Sequence, residues 1–205
     1  MVIITKSKVL CLICVFLIAT NLICAQSASE LAKMEEQLEE GADLLDASMQ
    51  YSMGVHYYFG NGGLRQNYQT AAKWFRRSAE KGHAIAQNIL GTMYGQGQGV
   101  DQDYFEAEKW LRKSAEQGNA EAQSNLGRMY HNGEGVSQDY QEAAKWLLKS
   151  AEQGYAIAQC NLGVMYYEGK GVPQDYLEAI KWLRRSAQQG YEKAIGALNA
   201  LGETY

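Results

Sequence analysis

Four groups of residues are placed to do chemistry in this chain: serines beside acids and lysines, histidines, cysteines and closely spaced glycines. Ser78-Ala79-Glu80-Lys81 spells S-x-x-K, a spacing in which a lysine one helical turn on activates a serine nucleophile. The equivalent segments end in Gln117, Gln153 and Gln189 where that lysine should stand, and neither K-T-G nor S-D-N occurs. The serine is therefore read as a repeated structural residue, and no catalytic residue is assigned. His56, His83 and His131 show neither the i, i+4 nor the H-E-x-x-H spacing of a helical zinc site, so no metal is expected. The G-x-G triplets at 97–99, 133–135 and 169–171 follow helical patterns rather than strands and lack the Lys-Ser/Thr of a phosphate loop. They read as turns, and no cofactor is implied.

What must position these residues is a strict internal period. Trp74, Trp110, Trp146 and Trp182 stand 36 residues apart, and Gly82, Gly118, Gly154 and Gly190 each follow eight later. A second block reads AIAQNILGTMY from Ala84, AEAQSNLGRMY from Ala120 and AIAQCNLGVMY from Ala156, with a divergent copy, ASMQYSMGVHY, from Ala47. Each unit reads as two helices. In the first, Ala84, Gln87, Leu90, Gly91 and Tyr94 share one face, and Gly97-Gln98-Gly99 ends it. Asp103 then opens the second, with Glu106 three residues on completing a capping box that recurs as Asp139 with Glu142 and Asp175 with Glu178. Tyr104, Ala107, Leu111 and Ala115 make its apolar stripe.

Glycine inside a helix costs about 1 kcal/mol relative to alanine. Its recurrence at Gly91, Gly127 and Gly163 implies that a neighbouring helix crosses too near for a Cβ, with the tryptophans filling the space between hairpins. No hairpin can bury these faces alone. The expected fold is all-α, a right-handed α-solenoid of four tandem 36-residue helix-turn-helix repeats over 46–82, 83–118, 119–154 and 155–190, with an N-terminal helical capping segment over 26–45 and a C-terminal capping helix over 191–205.

Lys6 and Lys8 precede the apolar run from Val9 to Ala19, followed by the weaker stretch Thr20 to Ala25. This is the layout of a signal peptide over 1–25, cleaved after Ala25, so an exported protein without a stable membrane span is expected, periplasmic or secreted if bacterial. Cleavage removes Cys11, Cys14 and Cys24, leaving Cys160 and no disulfide within the mature chain. It also removes two of 19 basic residues and none of 23 acidic ones, taking the formal charge from −4 to −6. So acidic a chain is no nucleic-acid binder of the phosphate-neutralising kind. The composition is otherwise that of a globular chain, with 46% hydrophobic and 20% charged residues among 205, and its 21 glycines against one proline fit regularly spaced turns rather than a linker.

The pattern A-x-A-Q-x-x-L-G-x-M-Y, then G-x-G-V-x-x-D-Y-x-E-A, then K-W-L-x-x-S-A-E-x-G resembles the Sel1-like repeat family of the tetratricopeptide-like superfamily, from about Asp46 to Gly190. The resemblance implies a non-catalytic scaffold for protein–protein contacts, common among exported bacterial proteins. A cysteine-rich branch of that family staples each hairpin with a disulfide, and those cysteine pairs are lacking here. Met53, His56 and Asn67 make the first repeat the least regular.

Function is expected where the repeats differ. The varying positions of the first helices, spaced 3, 4 and 3, fall on one face and are expected to line a concave groove. The candidate partner-binding residues are Tyr51, Val55, Tyr58, Asn88, Thr92, Ser124, Arg128, His131, Cys160, Val164 and Tyr167, for a protein or peptide partner. Gly95 belongs to the same varying set. The basic residues of the second helices are read as solvated surface, with Glu106–Lys109, Arg112–Glu116 and Arg76–Glu80 pairing along the helix. Two other readings stand beside the adaptor: an envelope hydrolase acting on cell-wall material, and an assembly protein that binds through its ends.

Overall fold

A computed structural model describes residues 41–61 and 64–204. The expected signal peptide and residues 26–40 of the N-terminal segment lie outside the described residues. Among the described residues nine α-helices follow in order: α1 (Ala47–Phe59), α2 (Tyr68–Glu80), α3 (Ala84–Gln96), α4 (Tyr104–Glu116), α5 (Ala120–Asn132), α6 (Tyr140–Glu152), α7 (Ala156–Glu168), α8 (Tyr176–Ala187) and α9 (Glu192–Ala200). Among the described residues there is no strand, and no helix is long and apolar enough to cross a membrane. The main packing runs between successive helices: each first helix against its own second helix, each second helix against the first helix of the next repeat. The product is an all-α solenoid of four hairpins closed by α9, which buries Ala194 and Leu198.

The repeated glycines mark where the hairpin closes. A Cβ on Gly127 would stand 2.8 Å from Leu147 Cγ and 3.1 Å from the Ala143 carbonyl, and Gly91 and Gly163 meet α4 and α8 in the same way. The glycine cost is thus offset by close approach within each hairpin. The second glycine of each G-x-G does something different. Gly135 has φ +70°, and a Cβ there would fall 2.4 Å from the Tyr104 carbonyl, so this turn lies flat on the start of the preceding repeat's second helix.

Between hairpins the tryptophans are buried, Trp74 at 1% exposure and Trp146 at 6%. A cation three residues on covers each ring: Arg77 over Trp74, Lys113 over Trp110, Lys149 over Trp146 and Arg185 over Trp182, at 4.1–5.2 Å from the centroid. Ser78, Ser114, Ser150 and Ser186, all fully buried, donate to the carbonyls of Ala47, Ala84, Ala120 and Ala156 at 2.6–2.7 Å. The S-x-x-K serine is therefore a strut between the two helices of its own hairpin. Glutamines form a second ladder. Gln87 Nε2 donates to the Ala79 carbonyl of the preceding repeat while its Oε1 accepts from Gln117, and Gln123 and Gln159 repeat the arrangement. In the first repeat Lys81 replaces that donor and turns to the carbonyls of Asp43 and Leu45, leaving Gln50 Oε1 buried with no partner among the described residues. Gln50 Nε2 still finds the Ala42 carbonyl, so residues 42–45 supply what the end of an upstream second helix would.

Two sequence expectations change. Asp103 caps α4 by accepting from the amides of Phe105 and Glu106, but Glu106 does not reach back to complete the box. The Asp103 amide donates instead to the Tyr94 carbonyl, and Glu106 accepts from the Trp110 indole and Lys109. The basic residues are less solvated than expected. Lys109 pairs with Glu106 as foreseen, but Arg112 pairs with Glu108 rather than Glu116 and donates to the Tyr130 hydroxyl of the next first helix. Arg76 reaches Tyr94 in the same way rather than Glu80. Tyrosine one hairpin on competes for the guanidinium, and helical spacing alone does not reveal it.

Candidate functional site

One face of each first helix is committed to its hairpin, which leaves the varying face of α1, α3, α5 and α7 as the candidate surface; the second helices also expose Phe105 and Leu177. The varying face is not uniformly open. Asn88, Ser124 and Cys160 are buried, at 2%, 4% and 5% exposure, so these three expected partner contacts are corrected to packing residues. The Asn125 amide of α5 donates to Asn88 Oδ1 at 3.4 Å, and Cys160 joins a buried cluster with Leu183 of α8 and Leu198 of α9. Burial also pushes the Cys160 thiol pKa up, keeping it protonated and inert.

Tyr51, Val55 and Tyr58 are half-buried against the core of the first repeat. Tyr51 stacks on His83 with centroids 4.7 Å apart, and His83 Nδ1 accepts from the Ala86 amide as the cap of α3. Tyr58 donates its hydroxyl to Gln98 Oε1 at 2.8 Å. The open part of the face belongs to the later repeats: Arg128 is exposed, Val164 is 37% exposed and Tyr167 41%, while Thr92 and His131 are half-buried.

At the loop end of this face a small motif recurs. Tyr58 lies edge-on against Tyr68, His131 against Tyr140 and Tyr167 against Tyr176, with centroids 5.1, 5.1 and 5.3 Å apart. Each of these rings closes the space between the end of a first helix and the start of its second. In the second repeat the position is Gly95, and the ring is missing. A pocket of about 350 Å³ opens there, lined by Thr92, Gly95, Tyr104, Asn125, Arg128 and Glu134 among others. Arg128 and Glu134 pair across it at 2.5 Å. Of the expected site residues, Thr92 and Arg128 come together here. Gly95, Tyr104 and Glu134 were missed as site residues, and the signal for them was a glycine at a phase that carries Tyr, His and Tyr in the other repeats.

The family model for the Sel1 repeat matches residues 47–83, 84–119, 120–155 and 156–191. The chain belongs to the Sel1 repeat family. Each match joins one first helix to one second helix, so the Sel1 repeat and the structural hairpin coincide. Among solved structures, a protective antigen of uropathogenic Escherichia coli displaying an SLR fold is 40% identical, with a TM-score of 0.74 over 82% of this chain and 36% of its own. A Sel1 repeat protein from Oxalobacter formigenes is 35% identical, with a TM-score of 0.70, 77% of this chain and 65% of its own. Among curated proteins, the Arabidopsis thaliana ERAD-associated E3 ubiquitin-protein ligase component HRD3A is 35% identical over 66 residues, 32% of this chain and 9% of that protein. The chain thus spans less than two thirds of each of these relatives. Sel1 repeat proteins generally act in protein–protein interaction.

Proposed function

We propose that this Sel1 repeat protein is an exported, non-enzymatic scaffold that holds a protein or peptide partner in the concave groove along the first helices of its solenoid. The observation that carries the reading is the division of labour within one helix. In α5, Leu126 and Gly127 are buried at framework phases, while Arg128, at a varying phase, is exposed beside the pocket. Exposed aromatic and arginine side chains on a rigid framework are what interface hot spots are made of. Export is supported by the Lys6, Lys8 and Val9 to Ala19 pattern. Against a hydrolase stands the commitment of Ser78 and its equivalents to backbone carbonyls.

The test is affinity capture from envelope extract with three forms of the chain: wild type, the groove variant Arg128→Ala/Val164→Ala/Tyr167→Ala, and the end variant Leu201→Asp. The groove variant should keep the wild-type melting temperature and lose the captured protein, and the end variant should retain it. The opposite pattern would replace the groove by the ends as the binding surface.

A further inference from the structure

The pocket at Gly95 carries its own description of what fills it. We propose that it receives the phenol ring of a tyrosine side chain from a protein partner, the ring edge-on against Tyr104 and the hydroxyl donated to the Glu134 carboxylate. The inference deepens the proposed function and rests on the first-helix face being the partner surface.

Three features of the chain converge on this occupant. The first is the ring itself: at the positions equivalent to Gly95 the protein places Tyr58, His131 and Tyr167, each edge-on against the first tyrosine of its second helix. The second is that the receiving wall is already set. Gln66 Nε2 bridges the Tyr58 carbonyl and the Tyr68 hydroxyl, at 2.9 and 3.0 Å, and Gln174 does the same for Tyr167 and Tyr176. Gln102 bridges the Gly95 carbonyl and the Tyr104 hydroxyl at 2.8 and 3.1 Å. Tyr104 is thus held as Tyr68 and Tyr176 are, although the ring it should face is absent.

The third feature is the acceptor. In the first repeat the Tyr58 hydroxyl donates to Gln98, the middle residue of the next repeat's G-x-G turn. The equivalent turn residue over the Gly95 pocket is Glu134, which lines it. One repeat further on, the same turn position places Lys170 over the Tyr140 ring. Glu134 Oε2 is paired with Arg128 and Oε1 accepts from Asn132 at 2.9 Å. A carboxylate has about four lone-pair sites, so it can accept from a phenol beside these bonds, and hydrogen bonds to ionised groups are the stronger class. Gly95 itself leaves room: a Cβ there would meet only Ala107 Cβ, at 3.8 Å.

The probes are N-acetyl-L-tyrosinamide and N-acetyl-L-phenylalaninamide, titrated to tens of millimolar into the isotope-labelled chain and followed by amide chemical shifts. The tyrosine probe should shift Thr92, Gly95 and Tyr104 saturably, and the phenylalanine probe should bind about tenfold more weakly for want of the hydroxyl. Gly95→Tyr, which restores the ring from within, should abolish the shifts without lowering the melting temperature, and Glu134→Ala should bring the two probes to equal affinity. Absence of saturable shifts at these residues, undiminished binding by Gly95→Tyr, or a destabilised Gly95→Tyr chain would each overturn the pocket. Equal binding of both probes by the wild type would overturn the phenol assignment. The titration needs no partner, so it can fail while the groove variant still loses its captured protein, and the reverse failure is equally visible.

Discussion

Replacing Gly127 and, separately, Gly95 by alanine should change stability in opposite directions although both glycines lie in first helices. Alanine is favoured over glycine in a helix by about 1 kcal/mol, a gain available at either site. At Gly95 nothing offsets it, because the new methyl meets only Ala107 Cβ at 3.8 Å, and Gly95→Ala should stabilise the fold by about 0.5–1 kcal/mol. At Gly127 the methyl would stand 2.8 Å from Leu147 Cγ and 3.1 Å from a backbone oxygen. Neither is the loose end of a flexible chain, so α5 and α6 must move apart. Overpacking of this kind costs about 1–3 kcal/mol, which leaves Gly127→Ala about 1 kcal/mol less stable than wild type. Thermal unfolding followed by far-ultraviolet circular dichroism resolves the difference, since 1 kcal/mol moves the midpoint by about 2–4 °C in a chain of this size. If Gly127→Ala melts at or above the wild-type temperature, the helix-crossing explanation of the repeated glycines is wrong.

Trp146→Ala empties a site 6% exposed between hairpins and should cost about 3–5 kcal/mol, read from denaturant unfolding. Ser114→Ala removes the 2.7 Å bond to the Ala84 carbonyl and should cost about 0.5–1.5 kcal/mol by the same assay, with unchanged stability showing that the strut is dispensable. Gly135→Ala places a methyl in the left-handed region against the Tyr104 carbonyl and should cost more than about 2 kcal/mol; a smaller loss would show that the turn does not lock one repeat to the next. Cys160, 5% exposed and with its thiol pKa raised by burial, should react with a thiol reagent at neutral pH only after unfolding.

The hairpin was legible in the sequence because its determinants repeat in phase: the Trp steps, the Asp caps and the mid-helix glycines each announce one local geometry four times or nearly so. Partners set by packing rather than by helical spacing were harder to read. Glu106 was expected to close a capping box, but the Trp110 indole one turn on in α4 and the Tyr94 carbonyl near the end of α3 supply other partners. Asn88, Ser124 and Cys160 sat on the right helical face by spacing and still proved buried, because a helical wheel does not say how far neighbouring helices reach over that face. Gly95 read as a varying residue with nothing to offer. Only the rings at Tyr58, His131 and Tyr167 show what its missing side chain leaves open.

The most direct test of the division between framework and binding face is site-specific photocrosslinking in cells producing the full chain. A benzophenone amino acid is placed at Val164 on the first-helix face or at Lys145 on a second helix, both solvent-exposed. The expected result is a discrete adduct with a protein partner from position 164 and none from position 145. An adduct from 145 with none from 164 would contradict the claim that the first-helix face holds the partner.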